Sequence, residues 1–522
     1  MRTRGTRRFA AWLWIATLTM ALGAGQTWAQ AGAQSPQTAP AQPQTAPAGP
    51  QTSKQEKHIT PAQAKDLFAS VDTILQFASD DSKLPIEHKV KRRLTTRDAV
   101  QKYLLDKMKD GKDARRLERS EIVLKKFGLL DEDFHLQPFL LSLLREQIAG
   151  YYDAKTKTVN LLDWIPPDAQ KPVLAHELTH ALQDQRVGLE KWEDQSLEDL
   201  SHTVAEDNRH IARDEQDTAR EAVLEGQAMA VLVNYELHPM GRNILSNPEA
   251  VKKMADTQGS DADSPVLARA PLVLQESLLF PYREGLKFEV QLLEDKGATG
   301  AFAGVLDHPP ATSYEIMNPR AYERGVKPPL LTMPDVHGLL DADYNPYDVG
   351  VMGELDVRML TELFGGQPMA AALAPAWDGG IYYVVQKKAA ADKSSTASIA
   401  LLYLSQWKTP EAAAAFAKVY AGELGQQFSS VSRDAQEESG EDEQIYKTNE
   451  GLVVISTQGN LVFVSESFPL PLARKLEFLM VGAQGGGESV VAAHLQPVRP
   501  LTGSLVQFFA SCGMMRAALH LY

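Results

Sequence analysis

One cysteine stands in 522 residues, Cys512. Without a second thiol the chain can form neither an internal disulfide nor a cysteine-based zinc site, so its stability must come from core burial or from a metal held by other ligands. An excess of basic residues is missing too: Lys and Arg number 53 against 67 Asp and Glu, a formal charge of −14. Nucleic acid is therefore not an expected partner. Long apolar runs are absent apart from one, Phe9 to Gly25, which excludes a multi-span membrane protein. Residues 30–57 lack the aromatic and branched residues that a core needs. They are dominated by Ala, Gln, Pro and Thr, with two copies of Gln-Thr-Ala-Pro, and read as a flexible tether.

What is present describes a folded body. Hydrophobic residues make up 44% and charged residues 23%, and the length favours two or three domains with non-globular ends. Arg2, Arg4, Arg7 and Arg8 precede the apolar run, and small residues follow it, so residues 1–29 read as an export signal cleaved after Ala29 or Ala31. An uncleaved membrane anchor is the alternative, and Arg7-Arg8 is a weak twin-arginine match. Cleavage would remove four arginines and no acid, leaving 49 basic against 67 acidic residues. The expected location is periplasmic or secreted.

Ordered structure is expected from Thr60-Pro61-Ala62-Gln63, where a Thr cap, a Pro at the first helical position and a Gln three residues on fit a helix start. Residues 58–130 read as mainly helical. Tyr151 to Leu162 reads as a hairpin with β-formers either side of a polar turn. Pro172 and Gly188 then bracket a helix of about four turns. A long acidic stretch, Leu189 to Asp217, leads into a second helical pattern through Arg220 to Leu237, and residues 265–365 look helical with irregular connections. After Pro375 the pattern changes: Ile381–Gln386, Ile399–Leu404, Leu452–Thr457 and Leu461–Ser465 read as strands, with helices after Thr409-Pro410 and from Pro471. The fold class is α+β, with a mainly helical domain over 131–370, an α+β domain over 376–495 and a tail over 496–522. Trp377 and Trp407 read as core residues rather than a carbohydrate-facing patch. The apolar stretch from Ser504 to Tyr522 is a candidate docking helix.

The chemistry is concentrated in His176-Glu177-Leu178-Thr179-His180. Spaced four apart on a helix, the two imidazoles share one face and can reach one tetrahedral metal. Glu177 then lies beside the metal without ligating it, placed to take a proton from the attacking water and pass it to a leaving amine. From this composition, on the order of 0.02 such matches would arise by chance, which favours a zinc site over coincidence. A catalytic zinc needs a third protein ligand. Position 186, where one class of zinc peptidases would place a third histidine, is Arg, and position 183, where that class needs Gly, is Gln, so the ligand is expected further on. Glu221 and Glu225 share one face of the second helix, and His202, Glu206 and His210 lie in the stretch between. Asp184 reads equally as a carboxylate orienting an imidazole and as a solvated surface group.

His176 to Ala181 with Asp184 resembles the active-site helix of the gluzincin metallopeptidases, the thermolysin-like clan. In such enzymes the third ligand is a Glu on a following helix, often as Glu-Gly-x-Ala. The resemblance thus implies Glu225, in Glu225-Gly226-Gln227-Ala228, ahead of Glu221. The 44 residues between His180 and Glu225 are a longer separation than that clan's compact members show. A wider likeness, to exported bacterial proteins with a zinc-peptidase-like core, rests on Arg145 to Asp153, the His-Glu helix, Glu225-Gly226, Pro281-Tyr282-x-x-Gly285 and Pro309-Pro310-x-Thr312-Ser313. That likeness implies a fold and a metal, a single Zn2+, but no known substrate. The gluzincin resemblance implies a peptide or protein substrate and a strand before the active-site helix that pairs with substrate, for which Thr158–Leu162 is placed, an ordinary buried hairpin being the equal alternative. It also implies an oxyanion donor. Tyr282 is the choice for that donor over Tyr235, Tyr314 and His308. The competing function is a non-catalytic, zinc-stabilised binding protein of the cell envelope.

Overall fold

The computed structural model describes residues 58–108, 111–193, 203–257 and 264–484, together with Leu505. The expected signal, tether and tail (Leu505 apart), with Cys512 and His202, lie outside the described residues. The first helix, α1 (Pro61–Ser82), opens as its spacing predicts: the Thr60 hydroxyl accepts from the Gln63 backbone N–H, and the Gln63 side chain accepts from the Thr60 N–H. A strand, β1 (Lys91–Thr95), follows within the stretch expected to be helical. Its sequence, Lys-Arg-Arg-Leu-Thr, has no apolar alternation to announce it. Then come α2 (Arg97–Met108), α3 (Gly111–Lys126), α4 (Leu136–Gln147) and the hairpin of β2 (Tyr151–Asp153) and β3 (Thr158–Leu162).

These strands form one sheet in the order β1-β3-β2, with β1 parallel and β2 antiparallel to β3. Strand β3 is therefore central and buried throughout. Strand β1 pairs along all of it, β2 pairs with Thr158 to Asn160, and Gln170 takes the Leu162 N–H and carbonyl, so Thr158–Leu162 is the ordinary buried strand of the two readings and not one that pairs with substrate. The free edge on the hairpin side belongs to β2.

Helix α5 (Pro167–Val187) carries the two histidines. It begins five residues before Pro172, the expected start, and ends as expected at Gly188, which takes the left-handed conformation and donates to the Asp184 carbonyl. After α6 (Leu189–Glu193) and α7 (Val204–Ile211) comes α8 (Gln216–Leu237), whose residues from Ala219 to Asn234 are buried almost without a break. A helix apolar on all sides belongs in the middle of a core, and α8 packs between α5 and the 28-residue α10 (Leu272–Thr299), which follows α9 (Pro248–Ala255). Gly297 leaves the helical conformation (φ 67°, ψ 175°), and a wide π-type turn, Gly300–Gly304, follows. Short helices α11 (Val305–Asp307), α12 (Ser313–Met317), α13 (Pro319–Glu323) and α14 (His337–Leu340) complete this part. Among the described residues, no helix is long and apolar enough to cross a membrane.

The remaining elements are β4 (Tyr344–Val351), α15 (Glu354–Gly365), α16 (Gln367–Leu373), β5 (Trp377–Lys387), β6 (Ile399–Trp407), α17 (Pro410–Gln427), β7 (Val431–Arg433), β8 (Glu443–Thr448), β9 (Gly451–Gln458), β10 (Leu461–Glu466) and α18 (Leu470–Gly482). The seven strands form one antiparallel sheet, β4-β5-β6-β10-β9-β8-β7. Four of them, β5, β6, β9 and β10, are those the alternating pattern predicts. Both faces are covered: Tyr382, Val384, Leu401, Tyr403, Ile455 and Val464 join the core shared with α17, while Ile381, Tyr383, Leu402, Val454 and Phe463 join a second core with α18. The class is α+β. Strand β4 arises within the stretch expected to be helical, and the first core runs continuously from Leu67 to Leu505, so the helical and sheet-bearing parts share one interior. Lys126 of α3, buried in that interior, bonds Glu450 (2.6 Å) and Ser467 (2.9 Å) of the sheet. Trp377 and Trp407 are core residues.

Candidate metal centre

Helices α5 and α8 cross so that His176, His180 and Glu225 converge, each offering one donor atom within 4.8 Å of the others. Among the described residues no other set of His, Cys, Asp and Glu side chains does this. His176 Nε2 lies 2.9 Å from Glu225 Oε2 and 2.9 Å from His180 Nε2, and His180 Nε2 lies 3.5 Å from the same carboxylate oxygen. His176 is fully buried, and the His180 side chain keeps 13% of its surface. Glu221, one turn earlier on α8, is outside this group, as are Glu206 and His210 on α7.

Electrostatics make the cluster a place for a cation. Burial drives the His176 imidazole down to about 4. Burial opposes the charged form of His180 as well, but the Glu225 charge beside it, with Glu177 and Gln183, pushes it up to about 9. Burial likewise works against the Glu225 carboxylate, which the two imidazoles hold down at about 2. Two imidazole nitrogens and a carboxylate oxygen converging on one point are a donor set that zinc accepts, once His180 gives up the proton that Glu225 favours.

Glu177 points to the same place. It is 2% exposed, and its Oε1 has no hydrogen-bond partner. Burial, with Glu225 adding to it, raises its carboxyl to about 7 against the pull of His180 and the Tyr152 backbone N–H. The edge strand β2 thus presents its middle residue to Glu177, and Gly150 lies close by: a Cβ there would sit 3.8 Å from Glu177 Cγ.

Tyr282 of α10 stacks near His176, ring centroids 6.3 Å apart, with its buried hydroxyl turned to the Glu225 carboxylate. Burial and the charges of Glu225, Glu221 and Glu177 hold that hydroxyl protonated, well above its usual range. What brings α10 so near is a glycine crossing. A Cβ on Gly226 would come 2.2 Å from Gly285 O, and one on Gly285 2.1 Å from Ala222 O. The alternatives lie elsewhere: Tyr235 packs on Phe77, Tyr314 lies under Lys408, and the His308 carbonyl accepts from Tyr322.

Neither reading of Asp184 holds. Its buried carboxylate accepts from the Tyr152 hydroxyl (2.7 Å), Lys157 Nζ (2.7 Å) and the Leu189 N–H (3.1 Å), tying the hairpin to the end of α5. The imidazole partner is instead Gln183, 2.8 Å from His180 Nδ1. Its three-residue spacing from His180 on one helix is the signal the sequence offers for it. Two further motifs serve the scaffold. Glu146 accepts from the backbone N–H of Val266 and Leu267, and Ser313 donates to Glu215 at the start of α8.

Comparison of the chain with protein-family models, with curated proteins and with solved structures finds no match.

Proposed function

We propose that this chain is a zinc-dependent peptidase, exported from the cytoplasm, that hydrolyses peptide bonds in peptide or protein substrates. The observation that carries this reading is Glu177: a buried carboxyl with a bonding position open, beside three convergent metal donors. A purely structural site has no use for such a group, whereas hydrolysis needs one.

His176, His180 and Glu225 would hold the ion, which supplies Lewis acidity toward a carbonyl and a water. Glu177 takes the proton from that water as its oxygen bonds to the scissile carbon. It then delivers the proton to the amide nitrogen as the C–N bond breaks, leaving an acid and an amine. Tyr282, a buried neutral donor beside His176, is placed to stabilise the charge that develops on the carbonyl oxygen. The outer edge of β2 runs past Glu177, and an extended chain added to it would be led across the site.

The test is Glu177→Gln, which keeps the shape and removes the base. Zinc retained at one per chain with hydrolysis of a peptide library reduced at least about 10³-fold is the expected outcome. Unchanged hydrolysis with zinc bound refutes the assignment. A wild-type chain that holds zinc and cleaves nothing favours the binding-protein reading.

A further inference from the structure

We propose that Gln183 and Gln227 are positioning residues, forming a buried one-way chain of amides that sets the tautomer and orientation of His180. The inference rests on the metal-site reading above and concerns what holds one of its ligands.

Gln183 Oε1 lies 2.8 Å from His180 Nδ1, while Gln183 Nε2 donates to Leu224 O and to Gln227 Oε1, both at 3.0 Å. Gln227 Nε2 donates in turn to Ala301 O and Phe302 O, both at 3.1 Å. Both glutamines are fully buried. Each amide has two N–H donors and one oxygen, and all of them are used.

The direction of the chain is forced from its far end. Backbone carbonyls can only accept, so Gln227 must turn its nitrogen to Ala301 and Phe302 and its oxygen to Gln183. Gln183 must then give its nitrogen to Gln227 and Leu224 and its oxygen to His180. A flip of Gln183 would set its oxygen against the Leu224 carbonyl. His180 therefore donates from Nδ1, which leaves Nε2 as the ring nitrogen facing His176 and Glu225. Metal-bound imidazoles are commonly oriented this way through their second nitrogen. His176 Nδ1, by contrast, is buried with no hydrogen-bond partner, so His180 alone of the two has such a tether. The anchor lies in the π-type turn Gly300–Gly304 beyond the break at Gly297, whose altered register offers two carbonyls to α8.

The test uses the full chain and the variants Gln183→Met and Gln227→Met, which keep side-chain length and remove the amide. Zinc affinity is measured by competition with a chromophoric chelator, and the His180 ring protons are followed by nitrogen-15 NMR. We expect Gln183→Met to weaken zinc binding about 10–100-fold. Gln227→Met, one link removed, is expected to act in the same direction by less. In both, the His180 Nδ1 proton, protected in the wild type, exchanges with water at least about tenfold faster. Affinities within about twofold of wild type with that proton still protected overturn the proposal, even if the variants unfold at lower denaturant. Should the wild-type chain take up no zinc, the metal-site reading fails; proton exchange in the metal-free protein still decides the amide chain. If Gln183→Met does not fold, the same two measurements on Gln227→Met decide between these outcomes.

Discussion

Gly285→Ala tests whether the glycine crossing of α8 and α10 places Tyr282. The new Cβ would lie 2.1 Å from the Ala222 carbonyl oxygen and 3.0 Å from its carbon. Both atoms belong to a helix backbone and cannot swing aside as a side chain can. Ordinary contact begins near 3.4 Å, so α10 must retreat from α8 locally by about 1.3 Å, the difference between 3.4 and 2.1 Å. Tyr282 lies one turn away on α10 and Glu225 next to the crossing on α8, so the retreat separates the group proposed to stabilise the oxyanion from the metal donors. Overpacking of this kind costs about 1–3 kcal/mol of stability. A misplacement near 1 Å costs about 10²-fold in rate. The three donors sit on α5 and α8 only, so metal binding is expected to survive. The assay pairs zinc content and urea unfolding with turnover of a quenched fluorescent peptide. Gly338→Ala is the control, since a Cβ there meets nothing within 4 Å. Wild-type stability and turnover in Gly285→Ala would show that the contact is not tight and would refute the reasoning.

Three further outcomes are expected. Glu225→Ala loses zinc from the purified protein while Glu221→Ala keeps one ion per chain, and the reverse result would move the third ligand by one turn. Glu289 is 1% exposed, neither of its oxygens has a partner, and burial with Asp81 nearby raises its carboxyl from 4.5 to about 8. The folded state therefore favours its proton: the stability it allows is full below about pH 4.5 and is lost as pH rises toward 8, at up to about 1.4 kcal/mol per unit. Glu289→Gln is expected to flatten that slope and to be the more stable protein at about pH 8, by at most about 5 kcal/mol; chemical unfolding at about pH 5 and about pH 8 checks it. Lys126→Met, which strips the cation from half-buried Glu450 and buried Glu466, is expected to destabilise the chain by about 3–5 kcal/mol in the same assay.

How much of this is legible without the fold depends on the range of the forces involved. The His176/His180 pair, the Thr60 cap, the Gly188 stop and four strands of the large sheet are local: helical pitch, capping hydrogen bonds and strand alternation act within a few residues. Strand β1 leaves no such mark, because its partner β3 imposes the extended form on a sequence without alternation; β4 carries only a short alternation, Tyr347 to Val351, set behind Pro346 and a register shift, and its pairing with β5 completes it. Glu225 is reached across 44 residues only by its local pattern; its selection over Glu221 is a matter of how α5 and α8 cross.

The five residues from His176 to His180 carry their spacing in the chain itself, because an α-helix sets the relation between positions four apart wherever it is placed. The third donor, the amide that holds His180, the glycine contact that brings Tyr282 close and the outer edge of β2 that meets Glu177 depend on which helices and strands pack together. Burial also decides their charge states, since withdrawing a carboxyl or an imidazole from water shifts its proton equilibrium by an amount that no run of neighbouring residues encodes.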